Sequence, residues 1–284
     1  MDICVAGLGL IGGSMCMALQ RAGQGVWGWN RSRKPLDFAL RKGIIDAEAR
    51  DFESFDVIFV ALPPEATIDF INNHEFNDGA IVADICGVKG WIEEEIYSVP
   101  RNFRYVGCHP MAGKEVSSVF NACEDLFDNA SMVITHSDKT DPKALATIKN
   151  LTKIMGFKRI VECSAKIHDA KIAYTSQLAH VVSNAYVKND ELDGCIGFTG
   201  GSFQDMTRIA GVDEGVWASL YLKNAERLTS NIASIISSLE QIKNAISCGD
   251  KSGLEEVLRE GRKLFEARRD ERAPSDDIKV TELK

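Results

Sequence analysis

No stretch of the 284 residues stays apolar long enough to cross a bilayer, and the first apolar strand begins at residue 3, leaving no room for a signal peptide. A cytoplasmic location without a membrane partner is therefore expected. Cationic excess is also missing: the net charge is -8 at pH 7, so no broad face is expected to attract nucleic acid. The eight cysteines (Cys4, Cys16, Cys86, Cys108, Cys123, Cys163, Cys195 and Cys248) contain no C-x-x-C pair. They read as reduced, mostly buried thiols, and no metal site is expected. No internal repeat or low-complexity tract is found. Histidine is scarce, five in all, so each one can be weighed.

What is present starts with Ile3-Cys4-Val5-Ala6 running into Gly7-Leu8-Gly9-Leu10-Ile11-Gly12-Gly13-Ser14. This is a glycine fingerprint between an apolar strand and a helix. Gly7 permits a tight turn, Gly9 lets backbone approach a pyrophosphate, and Gly12 lets the helix lie close on the strand. The backbone N–H groups of Leu10 and Ile11 then belong to the helix N-terminus that faces the phosphates. Gly25-Val26-Trp27-Gly28-Trp29 supplies the expected second strand, which supports dinucleotide binding over a structural turn.

The end of that second strand lacks the carboxylate that usually meets a free ribose 2'-hydroxyl. The chain offers Asn30-Arg31-Ser32-Arg33-Lys34 instead, with no acid until Asp37. Cations and a hydroxyl in one turn suit a 2'-phosphate, Arg31 and Arg33 as planar forks and Ser32 as a donor. NADP is the expected cofactor, NAD the alternative. A solvated basic loop is the bland reading of the same residues.

From residue 1 to about 164, short apolar strands alternate with amphipathic helices, the pattern of a mainly parallel sheet covered on both faces. Strands are expected at 3–6, 25–29, 57–62, 80–85, 105–108, 131–135 and 159–162, and a helix over 142–156. After about residue 165 the strands are expected to stop. The fold class is thus a Rossmann-type α/β domain, 1–164, followed by an all-α helical domain, 165–284. A helix is expected over 165–187, a glycine-rich bend at 194–201, and one long helix over 216–246. In the latter, Leu228, Ile232, Ile235, Leu239, Ile242 and Ile246 make a seam of alternating four- and three-residue spacing. Such a seam packs within its own bundle or forms a two-fold subunit interface. Leu254, Val257, Leu258, Leu264 and Phe265 are expected to face inward. The charged stretch from Arg268 is expected to fray.

Among the histidines, His109 follows the strand Tyr105-Val106-Gly107-Cys108 and precedes Pro110-Met111-Ala112-Gly113, a strand end opening into a constrained turn. An open sheet presents functional groups there. His180 lies mid-helix with Ser176 and Asn184 one turn to either side, a polar stripe that is either a satisfied network or a site wall. His168, beside Asp169, reads as a helix-capping residue; His74 and His136 read as surface loops. Arg208 follows Gly200-Gly201-Ser202-Phe203-Gln204-Asp205-Met206-Thr207 among apolar neighbours and calls for an anion, either Asp205 or a substrate carboxylate.

The motifs at 7–14, Asp84-Ile85-Cys86-Gly87-Val88-Lys89-Gly90, Gly107 to Gly113, Ser176-Gln177-Leu178-Ala179-His180 and Phe203 to Ala210 resemble, in order and over nearly the whole chain, those of prephenate dehydrogenases. The resemblance implies oxidative decarboxylation of prephenate to 4-hydroxyphenylpyruvate, or of arogenate to tyrosine. It implies that His109 accepts the substrate hydroxyl proton, Arg208 grips a carboxylate, and His180 and Ser176 line the pocket of a homodimer. Two residues depart from the family pattern: Gly87 stands where serine is usual, and Ala179 where proline commonly precedes the histidine. A non-catalytic NADP-binding sensor is the alternative of a different class. The regulatory and chorismate mutase domains of some relatives are not expected in this chain, and tyrosine inhibition, if present, is expected to act at the active site.

Overall fold

The structure, a computed structural model, describes residues 1–114, 116–268 and 277–281. Strands β1 (Ile3–Ala6), β2 (Val26–Trp29), β3 (Ala47–Glu48), β4 (Val57–Val60), β5 (Ile81–Asp84), β6 (Arg104–Pro110), β7 (Ser131–Thr135), β8 (Arg159–Cys163) and β9 (Ile278–Lys279) form one sheet in the order β3-β2-β1-β4-β5-β6-β7-β8-β9. Every pairing is parallel except β6 with β7. Helices α1 (Leu10–Arg21), α2 (Arg33–Arg41), α3 (Pro64–Asn73), α4 (Gly90–Tyr97) and α5 (Pro142–Ile154) cover its faces.

The alternation of side chains along a strand explains the two cores. Ile3 and Val5 of β1 face a core with Met15 and Leu19 of α1 and Leu151 of α5. Cys4 and Ala6 face the opposite core with Phe70 of α3 and Ile92 of α4. Strand order reverses at β1, which lies between β2 and β4, so the ligand crevice opens at the carboxyl ends of β1 and β4. Gly7, at φ +103°, makes the turn there, and a Cβ on Gly12 would lie 1.9 Å from the Gly7 carbonyl oxygen. The fingerprint is thus a requirement of packing as well as of binding.

Beyond β8 the chain turns helical: α6 (Ala165–Ile172), a π-helical turn at Ala173–Gln177, α7 (Leu178–Tyr186), α8 (Gly201–Thr207), α9 (Glu214–Lys223), α10 (Ala225–Ser247) and α11 (Lys251–Ala267). Among the described residues no helix is long and apolar enough to cross a membrane.

Several expectations need correction. The helix read over 216–246 is two, because Asn224 turns its side chain inward and donates to the Asp169 carbonyl and Gln177 Oε1, both at 2.9 Å. Residues Leu258, Leu264 and Phe265 of α11 are about half exposed, not inward. Of the two readings of the α10 seam, packing within its own bundle is not seen: only Leu228 is buried within one chain, with Leu239 and Ile246 57% and 62% exposed. Periodicity shows that a face is apolar, not what covers it. Strands do not end at residue 165 either: β9 pairs with β8, and Asp277 accepts the Ile160 N–H at 2.8 Å. Two-residue strands such as β3 and β9 are too short to show a period. The fraying expected from Arg268 falls largely on 269–276 and 282–284, outside the described residues. His74 and His136 lie in loops as read but are half-buried, and the His74 ring centroid is 4.4 Å from that of Phe70.

Candidate active site

The cofactor crevice is built from the fingerprint and the end of β2. Among the described residues nothing lies within 4 Å of where a Cβ on Gly9 would be, and Gly9 at the N-cap has no side chain to cap α1, so the first N–H groups of the helix are open to a ligand. A pyrophosphate fits that cradle. Leu10 is buried and Ile11 packs on the core, so both offer the crevice backbone rather than side chain. Asn30 ties the wall together, accepting the Leu8 N–H through Oδ1 at 2.9 Å and donating to the Ser32 carbonyl at 3.0 Å.

The three candidates for a 2'-phosphate fare differently. Arg33 is held by both Glu48 oxygens at 3.0 Å and by Asp37 at 2.8 Å, which neutralise it. Glu48 stands on β3, opposite Gly28 of β2, where sequence distance concealed it. Arg31 and Ser32 are exposed, and Ser32, although at the N-cap of α2, makes no side-chain capping bond.

The second half of the site centres on His109, near the end of β6. Its Nδ1 lies 2.8 Å from His168 Nε2, and His168 Nδ1 lies 2.8 Å from Asp169 Oδ1. Asp169 also accepts the Lys89 and Gly90 N–H groups, each at 2.8 Å, capping α4. A carboxylate accepts, so His168 Nδ1 carries a proton and its Nε2 is the acceptor. His109 must then donate through Nδ1, leaving the lone pair on Nε2. That nitrogen is 3.7 Å from where a Cβ on Gly87 would stand, and Leu220 of α9 is 3.5 Å from the same point. A Cβ at this position would make only ordinary van der Waals contacts.

Burial pushes both imidazoles down, His109 well below the ordinary 6.5, with the His168 and Lys89 charges adding to the effect. A neutral ring with a free lone pair at the mouth of a crevice can act as a base at neutral pH. Behind it the Asp84–Lys89 ion pair is fully buried, and Tyr105 donates its hydroxyl proton to Asp84 Oδ2 at 2.6 Å. Reading His168 as a helix cap was wrong: Ser164 caps α6 through the Ile167 N–H, and His168 is 2% exposed. An adjacent His-Asp pair was the available signal, but its target lies 59 residues upstream.

The helical half supplies the facing wall. His180 Nδ1 lies 2.9 Å from the Ile209 carbonyl, and Asn184 donates to the Ala210 carbonyl at 3.3 Å, so these two members of the stripe dock α7 onto the end of α8. Ser176 is half-buried in the π-helical turn. The His180 ring sits 3.8 Å from Trp217 of α9, three residues before the Leu220 that touches the Gly87 space. One face of α9 therefore brings His180 and His109 to a common wall. Glu65 of α3 anchors this helix through Ser219 at 2.7 Å and through Lys223. Arg208 is the C-cap residue of α8 and is exposed, contrary to the apolar burial expected of it, because this short helix has no buried residue.

Comparison with known proteins agrees with this architecture. The model of the prephenate dehydrogenase nucleotide-binding domain matches residues 15–161, and that of the prephenate dehydrogenase dimerization domain matches 164–260. A prephenate dehydrogenase of Bacillus subtilis (strain 168) is 30% identical over 271 residues, 89% of this chain and 72% of the relative. The crystal structure of Aquifex aeolicus prephenate dehydrogenase in complex with hydroxyphenyl propionate and NAD+ superposes with a TM-score of 0.83 at 27% identity, covering 95% of this chain and 98% of that one. Synechocystis arogenate dehydrogenase superposes with a TM-score of 0.76 at 26% identity, covering 96% and 100%. With both domain models matched in order and a relative similar over most of its length, the chain belongs to the prephenate dehydrogenase family of oxidoreductases.

Proposed function

We propose that the crevice oxidatively decarboxylates prephenate to 4-hydroxyphenylpyruvate, with His109 as the base. The observation that carries this reading is the unengaged Nε2 of a half-buried, neutral His109 facing the space between Gly87 and Leu220. The bound nicotinamide supplies the hydride acceptor. His109 takes the hydroxyl proton as the ring carbon beneath it loses hydride. Loss of the ring carboxylate as carbon dioxide then sends its electron pair through the ring to that oxygen. The resulting phenolate takes the proton back from His109, so the base is regenerated within one turnover. With glycine at position 87, no side chain there shares the hydroxyl.

The test is turnover with prephenate and arogenate, each with NAD and NADP. Reduced cofactor and carbon dioxide formed from prephenate are expected; turnover of arogenate alone would move the assignment to arogenate dehydrogenase, and turnover of neither would leave a nucleotide-binding sensor.

NADP is the preferred cofactor in this reading, on the support of Arg31 and Ser32; Glu48 and Asp37 remove Arg33 from the phosphate set. Arg31→Ala should raise the KM for NADP about tenfold or more and leave that for NAD nearly unaltered. Equal effects on both cofactors would refute the preference.

Arg208, with His180 and Ser176 on the same wall, is assigned to a substrate carboxylate. Arg208→Ala should raise the substrate KM about thirtyfold or more, with lysine rescuing only part because it lacks the fork. A lowered melting temperature with unchanged substrate saturation would make the residue structural instead. The protein is further proposed to be a cytoplasmic homodimer. The half-open apolar stripes of α10 and α11 lie largely within the segment matched by the dimerization model. Sedimentation as a 31.2 kDa species at assay concentrations would contradict the dimer.

A further inference from the structure

His109 is not the end of its hydrogen-bond chain. Behind it stand a second imidazole and a carboxylate, all in line and shielded from water: His168 is 2% and Asp169 9% exposed. The chain crosses between the two halves of the molecule, from β6 to α6, and its carboxylate is locked by two backbone N–H groups at the start of α4. Asn224 Nδ2 bonds the Asp169 carbonyl, fixing the same turn from α10. Orienting one ring requires one acceptor. A titratable acceptor, itself backed by a carboxylate, can do more than orient.

We propose that His168 and Asp169 form a proton-holding pair for His109, so that the proton taken from the substrate at His109 Nε2 is balanced by passage of the His109 Nδ1 proton to His168 Nε2. This rests on the reading of His109 as the base. The step is a shift along the substrate's hydrogen bond to His109 Nε2 and the existing His109–His168 bond. The O–H bond of the substrate breaks as His109 Nε2–H forms, and His109 Nδ1–H breaks as His168 Nε2–H forms. His109 ends neutral in its other tautomer, and the positive charge rests on His168 against Asp169. When the phenolate reclaims its proton, both transfers reverse, and nothing is consumed.

The electrostatics favour the inner ring. Burial pushes both histidines down, but Asp169 opposes this at His168, whereas among the described residues no negative group does so at His109. Lys89 and Asp84, the other charged groups facing the pair from the β5–α4 connection, are bonded to each other. Cys108, on β6 itself, is pushed up to about 12 by burial and stays neutral. A cation at His109 would stand half-buried with no counter-charge among the described residues, and one at His168 would stand 2.8 Å from a carboxylate.

Acidification should work through the same chain. A proton entering His168 from solvent makes its Nε2 a donor, which forces His109 to accept at Nδ1 and place its own proton on Nε2. The base is then switched off without itself being charged. The acid limb of the kcat/KM profile accordingly reports the pair.

His168→Gln separates orientation from proton holding. The glutamine amide can donate to Asp169 and accept from His109 Nδ1–H, preserving the tautomer, but it cannot be protonated. Substrate and cofactor KM should stay near wild type, kcat should fall about tenfold or more, and the acid limb should move to lower pH because the remaining acceptor is the less basic His109. A variant with wild-type kcat and an unmoved limb would overturn the proposal. Should the variant fail to fold, histidine-selective 15N NMR of the wild-type protein gives the answer directly. The first proton taken up on acidification should appear on His168, and its appearance on His109 with His168 still neutral would refute the pair. His109→Asn, measured alongside, distinguishes the two levels: full turnover in that variant removes the functional reading and this proposal together, whereas an inactive His109→Asn beside a wild-type-like His168→Gln removes the proposal alone.

Discussion

His109→Asn is expected to lower turnover roughly a hundredfold or more while leaving cofactor affinity unchanged. Asparagine keeps a donor for His168 and fills much of the space but offers no basic nitrogen to the Gly87 side. The loss should therefore lie in kcat and kcat/KM together, the mark of an interaction made in the transition state. The wild-type rate should be flat from about pH 9 down to the ordinary histidine range near 6.5, since burial keeps His109 neutral well below that value. If turnover of the variant stays near wild type across this range, another group removes the proton.

The same burial has a consequence for stability. Both imidazoles have lowered values in the folded protein, so below about pH 6.5 the unfolded chain binds protons that the folded one refuses. Their contribution to stability is therefore intact above that pH and declines as the pH falls through the ordinary value toward the folded one.

The largest effect on stability is expected from Asp84→Ala. Asp84 and Lys89 are 0% exposed and bonded to each other, and Asp84 also accepts the Tyr105 hydroxyl and the Cys86 N–H. Removing the carboxylate strands an ammonium in the core. A loss of about 3–5 kcal/mol follows for a broken buried pair. The double variant Asp84→Leu with Lys89→Met, which removes both charges, should recover most of that loss, because the desolvation of both ions disappears with their attraction. Urea unfolding monitored by Trp fluorescence would measure both. A single variant within about 1 kcal/mol of wild type would mean that water reaches Lys89 when its partner is removed.

The split between legible and hidden features follows distance along the chain. The fingerprint could be read because its work is local: Gly7 turns the backbone where it stands, and Gly12 meets Gly7 only five residues away. The long strands and the helices over the sheet could be read because burial on both faces writes apolar runs into consecutive residues. His109 was legible from its place at a strand end between glycine and proline.

Its partners were not. His168 and Asp169 sit on the first helix of the other half, and Glu48, which takes Arg33 out of a basic turn, reaches it across a strand pairing fifteen residues away. The break at Asn224 was hidden for the same reason, since an asparagine in an apolar-periodic segment carries no sign that Asp169 and Gln177 await it. The sequence by itself determined the two-part architecture, the nucleotide crevice, the place of His109 at a strand end and the apolar stripe on α10. Only the tertiary structure decided which nitrogen of His109 is free, which cations of the 31–34 turn are paired, and that the stripe is not covered within one chain. Periodicity and turn chemistry are set by neighbours in the chain, whereas protonation, pairing and coverage are set by neighbours in space.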